Sequence, residues 1–307
     1  MNQEFYSSGK LLLTGEYVVL DGAIGLAIPT KYGQSLQVNE ITEPKLVWKS
    51  YDHQGKVWFE HVFNLPLVEH LNMVDTDTEF TTIINTLYKI LKEATVQNPR
   101  FLFGEGGYSV KTNLNFPRDW GLGTSSTLIN NIAQWAKIDA YGLLWKSFGG
   151  SGYDIACAQA KGSISYQLKN GVPIAKEIHF SPSFTDRFYF VYLNKKQNSK
   201  EGIASYRASA IDKEKVIKEI SLISQKILVC DQMYDLELLL QQHEHAIARI
   251  LGVSSIKESL FPDFKGAVKS LGAWGGDFIW AIGGEKTPAY FNAKGFDVVI
   301  PYSKMIL

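Results

Sequence analysis

The segment Asp119-Trp120-Gly121-Leu122-Gly123-Thr124-Ser125-Ser126-Thr127 sets two glycines and a run of hydroxyl side chains directly before Leu128, Ile129, Ile132, Trp135 and Ala136. Those apolar residues recur at helical spacing. A glycine-rich turn that feeds a helix exposes several backbone N–H groups, and the helix dipole adds positive potential at the same place. Such a turn can hold phosphate, and its Ser and Thr hydroxyls could reach a magnesium ion that bridges phosphate oxygens. The same residues also suit an ordinary helix N-cap. Two further glycine-rich turns follow, Phe148-Gly149-Gly150-Ser151-Gly152-Tyr153-Asp154 and Leu271-Gly272-Ala273-Trp274-Gly275-Gly276-Asp277. Each alone is consistent with a plain tight turn; three suggest close backbone approach to a ligand. None fits G-x-x-x-x-G-K-S/T or the dinucleotide pattern G-x-G-x-x-G with its distant acid.

The elements that must position these turns are partly legible. Lys10–Leu13 and Tyr17–Leu20 read as two strands around Thr14-Gly15-Glu16, ahead of the turn signal Asp21-Gly22. Residues 45–50 and 56–63 read as a hairpin, 81–96 as an amphipathic helix and 107–113 as a strand. A short helix of small residues runs from Ile155 to Ala160. A polar, Pro-containing stretch over residues 170–185 marks a domain boundary, giving 1–172 and 173–307. Beyond it come a strand at 187–193, helices at 212–229 and 235–251, and strands at 278–283 and 297–301. That order suggests helices packed on a small antiparallel sheet.

Composition excludes several classes of function. The chain has 307 residues, 45% of them hydrophobic, enough for a substantial core. Lys plus Arg equals Asp plus Glu at 31 each, so charge gives no sign of nucleic acid or an anionic membrane as partner. Cys157 and Cys230 have no metal-type spacing and read as reduced thiols. No signal peptide or bilayer-length apolar run is visible, which makes a cytoplasmic location the expectation.

Five segments in order resemble the GHMP-type small-molecule kinases, which include galactokinase and the homoserine, mevalonate and phosphomevalonate kinases. Ser8-Gly9-Lys10-Leu11-Leu12-Leu13-Thr14-Gly15-Glu16-Tyr17-Val18-Val19 matches P-G-K-x-x-L-x-G-E-x-x-V. Gly121 to Ser125 matches G-L-G-S-S, with Thr124 for the first Ser. Ser151-Gly152-Tyr153-Asp154 matches S-G-x-D, and Gly272-Ala273-Trp274-Gly275-Gly276 matches G-A-G-G-G. Gln242-His243-Glu244-His245, followed by Ile250-Leu251-Gly252-Val253-Ser254, resembles the helix and turn before that last motif in mevalonate-type members.

The resemblance implies an α+β, two-domain GHMP kinase fold, ribosomal-protein-like at the N-terminus and ferredoxin-like at the C-terminus, with the site in the cleft between the domains. It implies ATP and Mg2+ as cofactors and a small-molecule acceptor as partner; a homodimer stays open. Asp154 would be the catalytic carboxylate acting on the proton of the attacking oxygen. Asp154 suits a helix cap as well. Lys10 would lower the pKa of Asp154 and stabilise charge on the attacking oxygen or γ-phosphate. Gly121, Leu122, Gly123, Thr124, Ser125 and Ser126 would cradle phosphates, and Ser125 and Glu16 would serve the metal. Glu16, Ser151, Gly152, Tyr153, Gly272, Ala273, Gly275 and Gly276 would face substrate.

Some residues depart from the family pattern. Ser8 stands for a proline and Trp274 for a glycine. Ala140–Trp145 lacks the metal-ligating Glu common in mevalonate kinases, and Asp119 and Trp120 replace small residues. Gly152-Tyr153-Asp154-Ile155-Ala156 and Gly275-Gly276-Asp277 resemble phosphomevalonate kinase more than mevalonate kinase. A phosphorylated acceptor would need basic residues, for which Arg118, Lys146, Lys196, Arg207 and Lys269 are candidates. A diphosphomevalonate decarboxylase and a non-catalytic nucleotide or metabolite sensor of the same fold are the alternatives.

Overall fold

Side-chain alternation and local capping account for most of the elements. The computed structural model describes residues 2–67, 78–197 and 199–307. In chain order they form β1 (Asn2–Thr14), β2 (Gly25–Ile41), β3 (Lys45–Tyr51), β4 (Val57–Asn64), α1 (Glu79–Gln97), β5 (Gly107–Leu114), α2 (Thr124–Ala136), α3 (Ala140–Ser147), α4 (Tyr153–Gln159), β6 (Ile164–Lys169) and β7 (Val172–Glu177). Then follow β8 (Phe188–Tyr192), α5 (Ser199–Ala208), α6 (Lys213–Leu228), α7 (Met233–Leu251), α8 (Ile256–Leu260), β9 (Ala267–Ser270), β10 (Phe278–Ile282), α9 (Thr287–Ala293), β11 (Val299–Pro301) and α10 (Tyr302–Met305). The class is α+β, as the sequence implied.

The chain divides into two compact units that interleave along the sequence. The first holds Met1–Gly9, Tyr32–Arg118 and Gly123–Gln159; the second holds Lys10–Lys31, Asp119–Leu122 and Ala160–Leu307. A single boundary after residue 172 does not describe this division, because Lys10–Lys31 and Asp119–Leu122 pack with the C-terminal residues.

In the first unit, β4 pairs antiparallel with β3, β3 pairs parallel with β5, and β5 pairs antiparallel with residues 34–41 of β2. Val110 of β5 points to the core, to which α1, α2 and α3 contribute Ile84, Leu87, Leu91, Ile129, Ile132 and Leu143. Thr78 caps α1 through a reciprocal pair with Thr81. Helix α2 carries a feature that apolar spacing alone does not reveal: Asn130 and Asn131 are both buried. Asn130 donates to Ser7 Oγ at 2.8 Å and accepts from Gln159 at 3.0 Å, while Asn131 donates to the Gln34 carbonyl at 2.9 Å. Thr127 donates to Gln34 Oε1 at 2.8 Å. Every buried amide in this seam is answered, as burial requires. The seam fixes α2, and hence its N-terminus, against β1, β2 and α4.

In the second unit, β11, β8, β10 and β9 form an antiparallel sheet in that order. α6 and α7 pack on each other, and α7 packs on β9. The helices expected at 212–229 and 235–251 are present, the first capped by Asp212 and the second ended by Gly252 at φ +67°. The polar stretch at 170–185 opens with the turn and second strand of a β-hairpin, β6–β7, which turns at Asn170 and Gly171 with φ of +53° and +76°. Asn-Gly favours that two-residue turn because both positions need a left-handed backbone. Tyr17–Leu20 is not a strand. Gly15 and Tyr17 at φ +98° and +64° reverse the chain into a 3-10 turn over Val18–Asp21. Among the described residues no helix is long and apolar enough to cross a membrane.

Gly107 opens β5 where a side chain has no room: a Cβ there would meet the Glu43 and Lys45 carbonyls. Gly55 turns the β3–β4 hairpin at φ +76° with open space around it. Gly107→Ala should cost roughly 3 kcal/mol or more through backbone displacement. Gly55→Ala should cost only about 1–2 kcal/mol of left-handed strain. Urea unfolding of both variants gives the comparison, and equal losses would contradict it.

Candidate functional site

The expected site residues fall into both units. Gly123, Thr124, Ser125 and Ser126 begin α2, and Ser151, Gly152, Tyr153 and Asp154 lead into α4, all in the first unit. Lys10, Glu16, Gly121, Leu122, Gly272, Ala273, Gly275 and Gly276 lie in the second.

The start of α2 is built to present N–H groups. Gly123 occupies the N-cap at φ +95°, and no side chain caps the helix. The Ser126 hydroxyl turns back to the Gly123 carbonyl at 2.9 Å, so its hydroxyl is committed within the turn. Ser125 is exposed beside it. An uncapped helix start with an exposed hydroxyl suits an anion. Asp154 lies in the first turn of α4 and is half-buried; Gly152, at φ +88°, accepts from the Ile155 and Ala156 amides at 3.1 Å each.

In the second unit, Lys10, Leu11, Leu12, Trp120, Gly121, Leu271, Gly272, Asp277 and Phe278 line one small cavity of about 10 Å3, room for about one water. Two of the three glycine-rich turns therefore meet there, together with the motif-one lysine. The Lys10 amide donates to the Leu122 carbonyl at 3.0 Å, which ties the turn to β1. Gly121 is required twice over. Its φ is +66°, and a Cβ would stand 2.5 Å from Asp277 Cγ. Asp277 is the site residue that motif matching left without a role. Its carboxylate accepts from the Gln197 amide at 3.2 Å. Burial raises its pKa, against the pull of that amide and the charges of Lys10 and Lys196, while Asp119 adds to the rise. Asp119 and Trp120 also find places: Tyr192 donates to the Asp119 carboxylate at 3.1 Å, and Trp120 packs edge-on to Phe278.

Glu16, which the resemblance implied at substrate or metal, is 1% exposed. Its Oε1 accepts from Lys269 Nζ at 2.5 Å, and Lys269 also donates to the Ser270 carbonyl at 2.8 Å. His243 stands 3.4 Å from Glu16 Oε2 but is no ion-pair partner. Its Nε2 already accepts from the Gly15 amide at 3.0 Å, so the ring is neutral with its proton on Nδ1. Burial first, and the Lys269 charge second, hold the His243 pKa well below its usual value. Glu244 accepts from the Ser270 amide at 2.9 Å and its hydroxyl at 3.1 Å. Burial pushes its pKa up to about 8; Lys269 and the Ser270 bonds oppose the rise and Glu16 adds to it. Burial also raises the Glu16 pKa, and the charge and hydrogen bond of Lys269 oppose that rise.

Four of the five basic candidates are engaged within their own units. Lys269 is buried on Glu16. Arg207 pairs with Asp21 at 2.6 Å and Lys146 with Glu93 at 3.3 Å. Arg118 lies 3.7 Å over the Trp58 ring and reaches Glu79 at 3.3 Å. Lys196 is the one whose charge acts on the cavity, through Asp277.

Solved structures match this architecture over nearly the whole chain. The mevalonate kinase of Methanococcus jannaschii has a TM-score of 0.71 at 17% identity, over 98% of this chain and 97% of its own. A phosphomevalonate kinase of Streptococcus pneumoniae, in complex with phosphomevalonate and AMPPNP, has a TM-score of 0.67 at 14% identity, over 97% and 99%. The galactokinase of Lactococcus lactis, complexed with galactose, has 0.63 at 13% identity, over 95% and 88%. The fold is that of the GHMP kinases. No protein-family profile matches the sequence, and no curated protein matches it.

Trp274, which stands where the motif has a glycine, takes a left-handed backbone. Its φ is +40°, its side chain is buried, and its Nε1 has no hydrogen-bond partner among the described residues. Left-handed strain costs about 1–2 kcal/mol, whereas a buried Trp truncated to a small residue loses about 3–5 kcal/mol. Packing wins, so Trp274→Gly should lower stability by roughly 2 kcal/mol. A raised Tm would show that strain dominates.

Glu244 makes stability depend on pH. Its folded pKa of about 8 lies above its unfolded value, so its contribution is complete at acid pH and is lost as pH rises through 8. Glu244→Gln keeps an acceptor for the Ser270 amide and does not titrate. The stability difference between wild type and this variant should fall by up to about 1.4 kcal/mol per pH unit between pH 5 and 8. Urea titrations across that range measure it, and a constant difference would refute the assignment.

Proposed function

We propose that this chain is an ATP-dependent kinase whose acceptor is a mevalonate-pathway acid, phosphomevalonate or mevalonate. The observation that carries this reading is the meeting of Lys10, Gly121 and Gly272, from three separate kinase-like motifs, around one cavity of the second unit. The uncapped start of α2 supports it from the first unit.

The residues fit a nucleotide. The N–H groups at Thr124, Ser125 and Ser126 suit phosphate oxygens, and the exposed Ser125 hydroxyl suits a magnesium ion held chiefly by those phosphates. Among the described residues no cluster of His, Cys, Asp or Glu could hold a metal without such help. Bound ATP supplies the transferable phosphoryl group. Lys10 would offset charge on the phosphoryl oxygens, and Asp154 would take the proton of the acceptor oxygen. The turns Ser151–Tyr153 and Gly272–Gly276 bring backbone close to the acceptor. The resemblance of Gly152-Tyr153-Asp154-Ile155-Ala156 and Gly275-Gly276-Asp277 to phosphomevalonate kinase supports the phosphorylated acid over the free one.

Retention of both Lys10 and Asp154 weighs against the decarboxylase. The sensor reading draws on Asp277, whose carboxylate fills space beside Gly121 that an anion would otherwise use.

A panel of mevalonate-pathway acids, sugars and amino-acid alcohols, run with ATP and magnesium, tests the function. Phosphomevalonate or mevalonate should give the highest kcat/KM. Asp154→Asn should lower kcat about 10²–10⁴-fold with little change in KM for ATP. Nucleotide binding without turnover on any acceptor would favour the sensor, and full activity in Asp154→Asn would remove the base assignment.

A further inference from the structure

Glu16, His243, Glu244, Lys269 and Ser270 form a knot of polar groups, each at most 2% exposed, that the proposed chemistry does not use. None of them lines the cavity. They come from three places: the turn after β1, helix α7, and the end of β9. The turn is held at two successive residues, Gly15 by its amide on His243 and Glu16 by its carboxylate on Lys269. The end of β9 is held by Lys269 on its own carbonyl neighbour and by Ser270 on Glu244. Each held point adjoins a wall of the cavity. Lys10, Leu11 and Leu12 precede the Gly15 turn on β1, and Leu271 and Gly272 follow Ser270 directly.

Stability alone does not account for the pair. Desolvating two ions offsets most of their attraction, and an apolar pair of the same volume commonly serves as well. A charge pair differs from an apolar one in direction. The compact ammonium of Lys269 is fixed from two sides, by Glu16 Oε1 and the Ser270 carbonyl, so it specifies where the turn and the strand end stand.

We propose that Lys269 is a positioning residue which, through Glu16, sets the register between the Lys10 strand and the Leu271–Gly272 turn. The inference rests on the kinase reading for its effect on catalysis. It gives Lys269 and Glu16 a role other than binding an acceptor phosphate or a metal.

The test uses the full chain and a neutral double variant, Glu16→Gln with Lys269→Met, which leaves no lone buried charge. Lys269→Arg is the second variant, retaining the charge but not the compact head. Circular dichroism and cooperative urea unfolding select folded protein. In either folded variant kcat should fall at least about 10-fold while KM for ATP changes less than about three-fold, the pattern of a lost transition-state interaction. Hydrogen exchange should quicken in residues 10–16 and 267–277 and stay unchanged in β8. Wild-type kcat in a folded variant, or unaltered exchange in both segments, would overturn the proposal. If wild type transfers no phosphoryl group to any acceptor, the kinase reading fails instead, and the exchange measurement still decides whether the pair ties the two walls.

Discussion

A lysine with no exposed surface sets terms that much of the second unit must meet. A buried ammonium is costly without an opposite charge beside it, and Glu16 supplies a carboxylate at 2.5 Å. Burial pushes the Glu244 pKa up to about 8, and the nearby Glu16 adds to the rise. Burial first, and the Lys269 charge second, lower the His243 pKa. His243 then remains an acceptor for the Gly15 amide, which is what the reversal after β1 needs. Burial, more than the Lys269 charge, sets the protonation of Glu244 and His243, while the contacts of Lys269 and His243 hold the path of two chain segments.

The cavity beside this knot combines opposing features. Glycines at 121 and 272 allow close backbone approach, yet the Asp277 carboxylate occupies the space next to both. An anion arriving there meets a negative charge, and Lys10 and Lys196 are the charges that offset it. Trp274 adds a second conflict, an L-residue in a glycine conformation, held there by its buried indole. In the first unit the same demand for exactness of placement is met differently. Asn130, Asn131, Gln34, Ser7 and Thr127 satisfy one another, and α2 is held by directional bonds as well as by Ile129 and Ile132.

Local signals in the sequence were readable where a single element decides the outcome. Helix α1 shows its apolar stripe, the β3–β4 hairpin its alternation, and α6 and α7 their periodicity. The Asn170-Gly171 turn was equally local, yet its polar surroundings resemble a linker. Tyr17–Leu20 has strand-forming residues, but the φ of +98° at Gly15 turns the chain before a strand can form. The α3 and α5 helices are short and carry mixed faces, so periodicity says little about them. Motif matching singles out Lys10, Gly121–Ser126, Asp154 and Gly272–Gly276 as candidates. It also placed Glu16 at substrate or metal and Lys269 among acceptor contacts, where the structure buries both.

The sequence by itself determined the order of motifs, the α+β class and the glycine positions that permit close approach, because these depend on spacing and on backbone freedom at single residues. Only the tertiary structure decided which charges are partners. Glu16 and Lys269 are 253 residues apart, and nothing in their separate neighbourhoods marks them as a pair. Burial is a property of the folded chain, and burial is what turns a surface-type lysine and a motif glutamate into an obligatory contact. The same holds for Asp277 against Gly121: a carboxylate and a glycine carry no sign of each other until the strands that bear them are packed.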